Sequence, residues 1–274
     1  MTKGAAFGTD LAPGGLSNLI GVRPGKCFSY EGPAMPGMTY MILCFTTTHE
    51  AIKQVVLPWP LEPAPDLPPT CIVSFGVNPN NRGIDGRTVG YSMVMFSAIA
   101  QYKGTRGIAG FEYIDGINGD KTVPGDLLTA WGIYFGMLKK LADIRVIPDG
   151  DELVVTCDRR GVRLVTLRFR FKEEIPAEQS PLLGAIDKAL TVREIPSVDF
   201  KGYVDRSVCV VDTGVQVPNK IWAAEGSIEL GHLELDPLDA LKVVKLGPAF
   251  IYTIDVPKET FSEMYVLEKL PLKP

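Results

Sequence analysis

Short segments in which apolar and polar residues alternate make up much of the chain. In the clearest one, 162–171, the apolar residues Val165, Leu167, Phe169 and Phe171 are separated by single polar residues. A period of two places successive side chains on opposite faces, so this segment is predicted to be a strand. The polar residues between the apolar ones, two arginines among them, are interpreted as a solvated strand face.

Further strands are predicted where β-branched and aromatic residues cluster between turn residues. These segments are 38–47, 70–77, 88–103, 107–114, 152–158, 207–214, 220–235 and 249–256. Glycine-containing links at 104–106 and 159–161 predict two β-hairpins. No repeat or break in composition divides the chain, so we expect one α+β domain over 38–274, dominated by antiparallel strands, with closure into a barrel as one option.

Helical signals are few. Thr47 as N-cap and Glu50 three residues later form a capping-box pattern, which predicts a short helix over 51–57. Six prolines between Pro58 and Pro69 then predict an extended surface crossing. Residues 124–142 are apolar on nearly all sides and are predicted to be a buried helix-like segment. The polar loop 78–87 is either a flap or an ordinary turn.

The first 37 residues are rich in glycine and proline and show no periodicity. We therefore expect residues 1–37 to form an irregular arm, and it is where contacts with a second subunit are expected. The longest apolar stretch, near 93–100, is too short to cross a bilayer, and no apolar leader opens the chain. We expect a soluble, cytoplasmic protein.

Composition and charge exclude several classes of function. With 28 Lys+Arg against 32 Asp+Glu and a net charge of −4, the chain has no electrostatic footprint for nucleic acid or an anionic membrane. Its five cysteines are far apart, which favours reduced thiols over a disulfide framework. His49 and His232 are isolated, so neither a metal site nor a Ser/His/Asp triad is indicated, and no cofactor is expected.

Two adjacent lysines, Lys139 and Lys140, end the apolar segment. Burial and a cationic neighbour both disfavour an ammonium ion, so the pKa of such a lysine can fall from about 10.4 towards neutrality. A neutral amine can attack a ketone and form a Schiff base, which withdraws electrons from the adjacent carbon. By itself, the dipeptide is more typical of a surface pair.

The surroundings of the lysines resemble the acetoacetate decarboxylase family. Its motif Gly-x-Pro-Lys-Lys-x-Ala is similar to GMLKKLA at 136–142, and further similarities are LPWPLEP at 57–63 and EGSIELGHLELDPLDALKVVKLG at 225–247. The resemblance spans about 38–255. It implies a closed, cone-like β-barrel with a few peripheral helices, a homo-oligomer, Lys139 as the Schiff-base lysine and Lys140 as the neighbour that lowers its pKa.

The sequence departs from this family in the expected pocket. Met93 stands where the family has a glutamate, Met38 where it has an arginine, Leu138 replaces the proline, and Gly132 and Ile133 replace an Arg-Glu pair. The acidic and arginine residues of the pocket are therefore expected to be lost. The resulting apolar pocket would favour a larger, hydrophobic small-molecule substrate. Its predicted lining is Met38, Tyr91, Met93, Met95, Trp131 and Ile133.

Three functions stay open at this stage. The first is a lyase-like enzyme that acts on a bulky, apolar keto or β-keto compound through a lysine Schiff base, by decarboxylation, aldol reaction or dehydration, in polyketide-type secondary metabolism. The second is a cyclase or isomerase that uses the apolar cavity without imine chemistry. The third is a non-catalytic carrier of a hydrophobic ligand.

Overall fold

The computed structural model describes residues 30–83, 86, 88–117, 132–133, 135–179, 187–214, 217–262 and 264–273. Within these ranges, most of the regular structure is β-strand. The strands are β1 (Met35–Thr46), β2 (Glu62–Pro63), β3 (Thr70–Asn78), β4 (Tyr91–Tyr102), β5 (Thr105–Gly116), β6 (Leu138–Leu141), β7 (Asp143–Asp149), β8 (Glu152–Arg159), β9 (Val162–Ile175), β10 (Lys188–Pro196), β11 (Tyr203–Asp212), β12 (Lys220–Leu230), β13 (Lys245–Val256) and β14 (Met264–Lys269). The short helical elements are α1 (His49–Ala51), a π-helical turn (Ile52–Val56), two 3₁₀ turns (Ala177–Gln179 and Leu238–Leu241) and α2 (Glu259–Ser262).

The strands form one mainly antiparallel sheet, as predicted. Their order is β14-β11-β10-β5-β4-β3-β1-β13-β12-β9-β8-β7, with β2 beside β4 and β6 beside β5. Two pairings are parallel, β5 with β6 and β5 with β10. In the described residues no hydrogen bonds join β7 to β14, so the closed barrel expected from the resemblance is not confirmed.

Both predicted hairpins are confirmed. The β4–β5 turn consists of Lys103 and Gly104, whose φ angles are +46° and +83°. The β8–β9 turn consists of Arg160 and Gly161, at +52° and +77°. Two successive positive φ angles are typical of the tight turn that matches the twist of paired strands, and glycine adopts such an angle without steric cost.

The predicted short helix is present, but its cap is one residue later than expected. Thr48, not Thr47, is the N-cap, and its Oγ1 accepts a hydrogen bond from the Ala51 N–H at 3.1 Å. The Thr47 hydroxyl is buried and donates instead to the carbonyl of Leu241. Thr47, which the local pattern assigned to the helix cap, therefore makes a tertiary contact with the Leu238–Leu241 turn instead.

The predicted helix-like segment is wrong at its lysine end. Residues 124–131 and 134 lie outside the described part, and Leu138–Leu141 form strand β6. The preceding Gly136 has φ of +71°, and a Cβ there would lie 2.6 Å from the carbonyl oxygen of Val192. This close approach requires glycine and turns the chain onto the open edge of β5, where strand pairing replaces helical hydrogen bonds.

Alternation along the strands divides the core between the two faces of the sheet. On β1, Met41, Leu43 and Phe45 join the larger core, whereas Met38 and Ile42 join a smaller cluster. That smaller cluster also holds part of β4 and β5 and borders the cavity described below. A one-residue shift in register would therefore exchange core and cavity side chains.

Strand β9 follows its predicted pattern up to Phe169, which is buried with Val165 and Leu167. Phe171 departs from it because it is 44% exposed and packs edge-on against Trp222 near the end of the strand. The two arginines of the polar face form ion pairs with acidic side chains of β7, β8, β12 and the β7–β8 turn. These contacts agree with a solvated strand face.

Only the end of the predicted N-terminal arm is described, because residues 1–29 lie outside the described part. Strand β1 begins at Met35, three residues before the predicted start at Met38. Just before it, the carbonyl of Tyr30 accepts a hydrogen bond from Lys258 Nζ. A role of this arm in contacts between subunits stays a prediction. Across the described residues, no helix has the length and apolar character needed to span a membrane.

Candidate active site

A cavity of about 200 Å³ lies on the face of the sheet that carries the smaller core cluster. Its walls come mainly from β4, β5 and β6 and are largely apolar. Three charged side chains, Arg82, Glu112 and Lys139, also line it. A second cavity of about 340 Å³ lies under the proline-rich segment, and its lining among the described residues contains no lysine, arginine or carboxylate. Of the two cavities, the first therefore contains the lysine, arginine and carboxylate side chains of the described lining.

Lys139 is held inside this cavity by strand pairing. In the parallel pairing of β5 and β6, Lys139 lies opposite Glu112, and their side chains form an ion pair. Only 3% of the Lys139 side chain and 15% of the Glu112 side chain are exposed. The ring of Tyr91 lies 5.9 Å from Lys139 Nζ. A buried amine, a carboxylate and a phenol thus meet at one point.

Lys140 points to the opposite face of β6, as alternation requires. Its ammonium group contacts Asp236 and lies 4.8 Å from the centre of the Phe111 ring. Asp236 also accepts hydrogen bonds from Tyr113 Oη at 2.9 Å and Arg159 Nε at 3.0 Å. Lys140 is not among the described residues that line the cavity. The two lysines are neighbours in sequence, but their side chains are in different environments.

Asp236 is ionised despite its burial. Burial alone raises the pKa of a carboxyl group, but the hydrogen bonds from Lys140 and Tyr113 and the positive charges of Lys140 and Arg159 outweigh it, and the pKa of Asp236 is lowered. Conversely, burial and the hydrogen bond to Asp236 raise the pKa of Tyr113. This network ties the β12–β13 connection to β5, β6 and β8.

Three of the predicted pocket residues, Tyr91, Met93 and Met95, line the cavity. Burial, followed by the negative charge of Glu112, raises the pKa of Tyr91 well above its ordinary value. The Tyr91 hydroxyl therefore keeps its proton at neutral pH and is available as a hydrogen-bond donor. The two methionines provide an adaptable apolar wall next to it.

The other three predicted pocket residues are placed differently. Met38 is fully buried but packs behind the cavity wall, where its methyl group and that of Met93 lie over Gly76. Ile133 is 46% exposed and does not line the cavity. Trp131 lies outside the described residues. Of the predicted residues, those on β4 therefore line the cavity, and β1 contributes Met35 and Tyr40 instead of Met38.

Sequence reasoning missed the two other charged residues that line the cavity with Lys139. Glu112 comes from β5, one strand away from the Met93 position where the family pattern would place a glutamate. It was detectable as the one acidic residue in the otherwise apolar stretch GIAGFEYI. Arg82 comes from the loop that was interpreted as a flap or turn. Charge in the cavity is therefore relocated rather than lost.

The fold of the chain is similar to the folds of several solved structures. The fold is similar to a structure from structural studies of acetoacetate decarboxylase, at 17% identity over 88% of this chain and 91% of that chain, with a TM-score of 0.68. It is equally similar to acetoacetate decarboxylase from Legionella pneumophila subsp. pneumophila, at 17% identity over 87% of this chain and 88% of the other, with a TM-score of 0.68.

The fold is also similar to that of the enduracididine biosynthesis enzyme MppR. Its complex with pyruvate is 15% identical over 88% of this chain and 92% of that chain, with a TM-score of 0.63. Its complex with the condensation product of pyruvate and imidazole 4-carboxaldehyde, also 15% identical, covers 87% of this chain and 90% of its own, with a TM-score of 0.59.

At the level of sequence, no curated protein matches the chain significantly. A family profile does match, and its description is acetoacetate decarboxylase (ADC). The match runs from residue 23 to residue 265 and so includes every strand from β1 to β13 and the whole cavity. The chain therefore belongs to the acetoacetate decarboxylase family.

Proposed function

We propose that the chain is an enzyme that acts on a keto compound through a Schiff base at Lys139. The observation that carries this proposal is the position of the Lys139 amine, which is buried in a cavity beside a carboxylate and a neutral phenol. Family membership suggests a lyase-like enzyme. The buried lysine supplies the nucleophile that such a reaction needs.

The geometry supports a sequence of steps in which Glu112 moves protons. Glu112 accepts a proton from the Lys139 ammonium, and the free Nζ then attacks the substrate carbonyl carbon. The resulting carbinolamine loses its oxygen as water, and a C=N bond forms to give an iminium ion. Tyr91, whose ring centre lies 5.9 Å from Lys139 Nζ, is the proposed hydrogen-bond donor to the departing oxygen.

The iminium ion accepts electrons from a bond to the adjacent carbon. In a β-keto acid, the C–C bond to the carboxylate breaks, CO₂ leaves and an enamine forms, which is then protonated at carbon. In an aldol or dehydration reaction, Glu112 instead removes a proton from that carbon. Hydrolysis of the final iminium ion consumes one water and returns the Lys139 amine.

The substrate that we propose is an apolar keto compound of the kind used in polyketide-type secondary metabolism. Met93, Met95 and Met137 make the wall beside Lys139 apolar and adaptable. The MppR structures hold pyruvate and a product condensed from pyruvate, which supports a keto ligand and carbon–carbon chemistry in this fold. At about 30 Å³ per water molecule, the cavity has room for roughly seven waters, so a medium-sized ligand fits better than a very large one.

Lys140 is proposed to hold β6 in place. Its contact with Asp236, on the face opposite the cavity, supports this role better than that of a direct electrostatic activator of Lys139. Glu112, the direct partner of Lys139 in the cavity, is then the group that accepts the proton of the ammonium before attack.

The test is reductive trapping. Wild-type protein is incubated with acetone or a longer methyl ketone and reduced with borohydride, and the peptide that holds Lys139 is expected to gain the mass of the reduced ligand. Lys139→Ala should remain unlabelled at this peptide, whereas Lys103→Ala, at an exposed turn, should label as wild type. The covalent mechanism is wrong if the ketone binds to wild type but no label appears at Lys139.

A second candidate, a cyclase or isomerase without a covalent intermediate, is favoured by the ion pair itself. The Lys139 ammonium held by Glu112 can donate a proton to a carbonyl oxygen while the carboxylate removes one from carbon. Under this alternative, turnover proceeds with no borohydride-trapped adduct, and Lys139→Arg retains part of the activity. Binding without any turnover would instead indicate the ligand carrier.

A further inference from the structure

We propose that Asn81 and Arg82, on the connection between β3 and β4, form a carboxylate-binding subsite in the cavity and so determine which oxo acid is bound as substrate. The carbonyl chemistry of this substrate rests on the function proposed above, whereas the binding of the carboxylate does not. The family pattern would place an arginine at the position of Met38, on β1. Here the positive charge comes instead from the connection between β3 and β4.

Asn81 has a buried amide group with no partner. The residue is only 1% exposed and lines the cavity. Neither its Nδ2 nor its Oδ1 makes a hydrogen bond to the described protein. A buried polar group without a partner costs free energy, so such a group in a cavity wall points to a ligand or water that satisfies it. The Nδ2 group carries two N–H donors, and one of them can donate a hydrogen bond to a carboxylate oxygen.

Arg82 is held firmly by its backbone. Its N–H donates to the carbonyl of Ala34 at 2.8 Å, and Arg82 forms an isolated β-bridge with Thr88. Next to it, the Asn81 carbonyl accepts a hydrogen bond from the Val89 N–H at 2.7 Å. These contacts close the loop at its base, so both side chains start from fixed positions. This pre-organisation reduces the entropic cost of binding a ligand.

The Arg82 guanidinium group is positioned by contacts with Tyr30 and Glu31. It lies 5.3 Å from the centre of the Tyr30 ring, and its Nη1 donates to the carbonyl of Glu31. Among the described residues, no carboxylate lies within ion-pair distance of Arg82. The remaining N–H groups of its planar fork match the two oxygens of a carboxylate, which is the ligand that this geometry binds best.

The charge balance of the cavity favours an anion. Lys139 and Glu112 offset each other, and Glu112 is the one acidic residue in the described lining. Arg82 therefore leaves the lining with one net positive charge in largely apolar surroundings. A charge in such an environment is stabilised by an opposite charge on the ligand, because water screens it less than in bulk.

Together, these groups define the ligand chemically. It carries a carboxylate for Asn81 and Arg82, a carbonyl group for Lys139 and an apolar part for the methionine wall. The distance from Asn81 and Arg82 to Lys139 determines the spacing between carboxylate and carbonyl that the ligand must have. We therefore expect one chain length to be favoured within a series of oxo acids.

The experiment measures binding of such a series and of its methyl esters by isothermal titration calorimetry. The probes are 2-oxobutanoate, 4-oxopentanoate, 5-oxohexanoate and 6-oxoheptanoate. Wild type should bind at least one acid more tightly than its ester by tenfold or more. Arg82→Gln should weaken binding of that acid by about 10- to 100-fold and leave the ester within about twofold, since a hydrogen bond to a charged group is worth this much.

Three further variants sharpen the test. Arg82→Lys, which keeps the charge but not the fork, should lose less affinity than Arg82→Gln, and Asn81→Leu should also weaken binding of the acid alone. Arg106→Gln is the matched control, because Arg106 pairs with Asp66 at the protein surface, and it should bind the acid as wild type does. Binding of the ester serves as the check that each variant is folded.

The proposal is overturned if no acid in the series binds to wild type, or if Arg82→Gln weakens acid and ester equally. Repeating the titration with Lys139→Met separates this subsite from the Schiff-base mechanism. Acid binding that still depends on Arg82 in this background supports the subsite even if borohydride trapping fails. Trapping of acetone at Lys139, without any dependence of acid binding on Arg82, would support the mechanism and reject the subsite.

Discussion

Lys139 and Lys140 are adjacent in sequence, yet their ammonium groups contact different carboxylates on opposite faces of β6. Lys139 pairs with Glu112 in the cavity, and Lys140 pairs with Asp236 beneath the aromatic rings of the larger core. In a helix, adjacent residues are separated by about 100°, whereas in a strand they are separated by about 180°. The strand conformation of this motif therefore places the two lysine side chains in separate environments.

The Lys139–Glu112 pair should behave as a coupled, buried ion pair. Replacing one member leaves a buried charge unpaired, so Glu112→Gln is expected to lower the free energy of unfolding by about 3 kcal/mol. The double variant Lys139→Met/Glu112→Leu should recover most of this loss, because neither charge remains. Urea unfolding of wild type, Lys139→Met, Glu112→Leu and this double variant measures the coupling. Additive effects of the two single substitutions would show that the pair is not coupled.

Lys140 should be dispensable for imine formation. Lys140→Met removes the positive charge on the far side of β6 and leaves the cavity side unchanged, so borohydride trapping of acetone at Lys139 should keep its rate within about threefold. The same variant is expected to unfold at a lower urea concentration, because Asp236 loses one partner. Complete loss of trapping in folded Lys140→Met would instead establish Lys140 as the activator of Lys139.

Asp236 should make stability depend on acid pH. Its pKa is lowered in the folded protein, so it stabilises the fold fully above its unfolded pKa of about 3.9, and this contribution is lost as pH falls towards the folded value. Asp236→Asn should lower the free energy of unfolding by about 3 kcal/mol at pH 7. The difference from wild type should shrink below about pH 4.

Chemical unfolding at a series of pH values tests this dependence. Asp66→Asn is the matched control, because Asp66 pairs with Arg106 at the surface, and its effect on stability is expected to be small at every pH. A difference between wild type and Asp236→Asn that stays constant from pH 7 to pH 3 would contradict the assignment of an ionised, stabilising carboxylate.

The methionine wall should determine the size of the ligand. Met95→Trp fills part of the cavity, so it is expected to weaken binding of long methyl ketones by about tenfold or more and to affect acetone little. Met95→Leu conserves volume and is expected to stay close to wild type for all ketones. Calorimetry with a series from acetone to undecan-2-one measures both. Equal losses for acetone and the long ketones would place Met95 outside the binding site.

Much of the strand structure could be predicted because it is encoded locally. Alternation along 162–171 predicts both β9 and its buried face, and the glycine links predict the turns at Gly104 and Gly161. The local pattern failed where a distant group competed for the same side chain or backbone. Thr47 contacts Leu241 instead of capping a helix, and residues 138–141 pair with β5 instead of forming a helical turn.

The candidate site shows the same division. The sequence alone determined the family resemblance, predicted Lys139 as the candidate nucleophile, and placed Tyr91, Met93 and Met95 as neighbours along one strand. It contained no information on which residue faces Lys139, because Glu112 is 27 positions away and reaches it only through strand register.

Only the tertiary structure decided how charge is distributed in the cavity. Replacement of the family's glutamate and arginine by Met93 and Met38 predicted a pocket without acidic or arginine residues, yet Glu112 and Arg82 enter it from β5 and from the β3–β4 connection. A cavity collects side chains from several elements, and pairing between strands determines which of them meet. A pattern read along one strand therefore predicts the face on which a residue lies, whereas its partners across the cavity depend on how the strands are assembled.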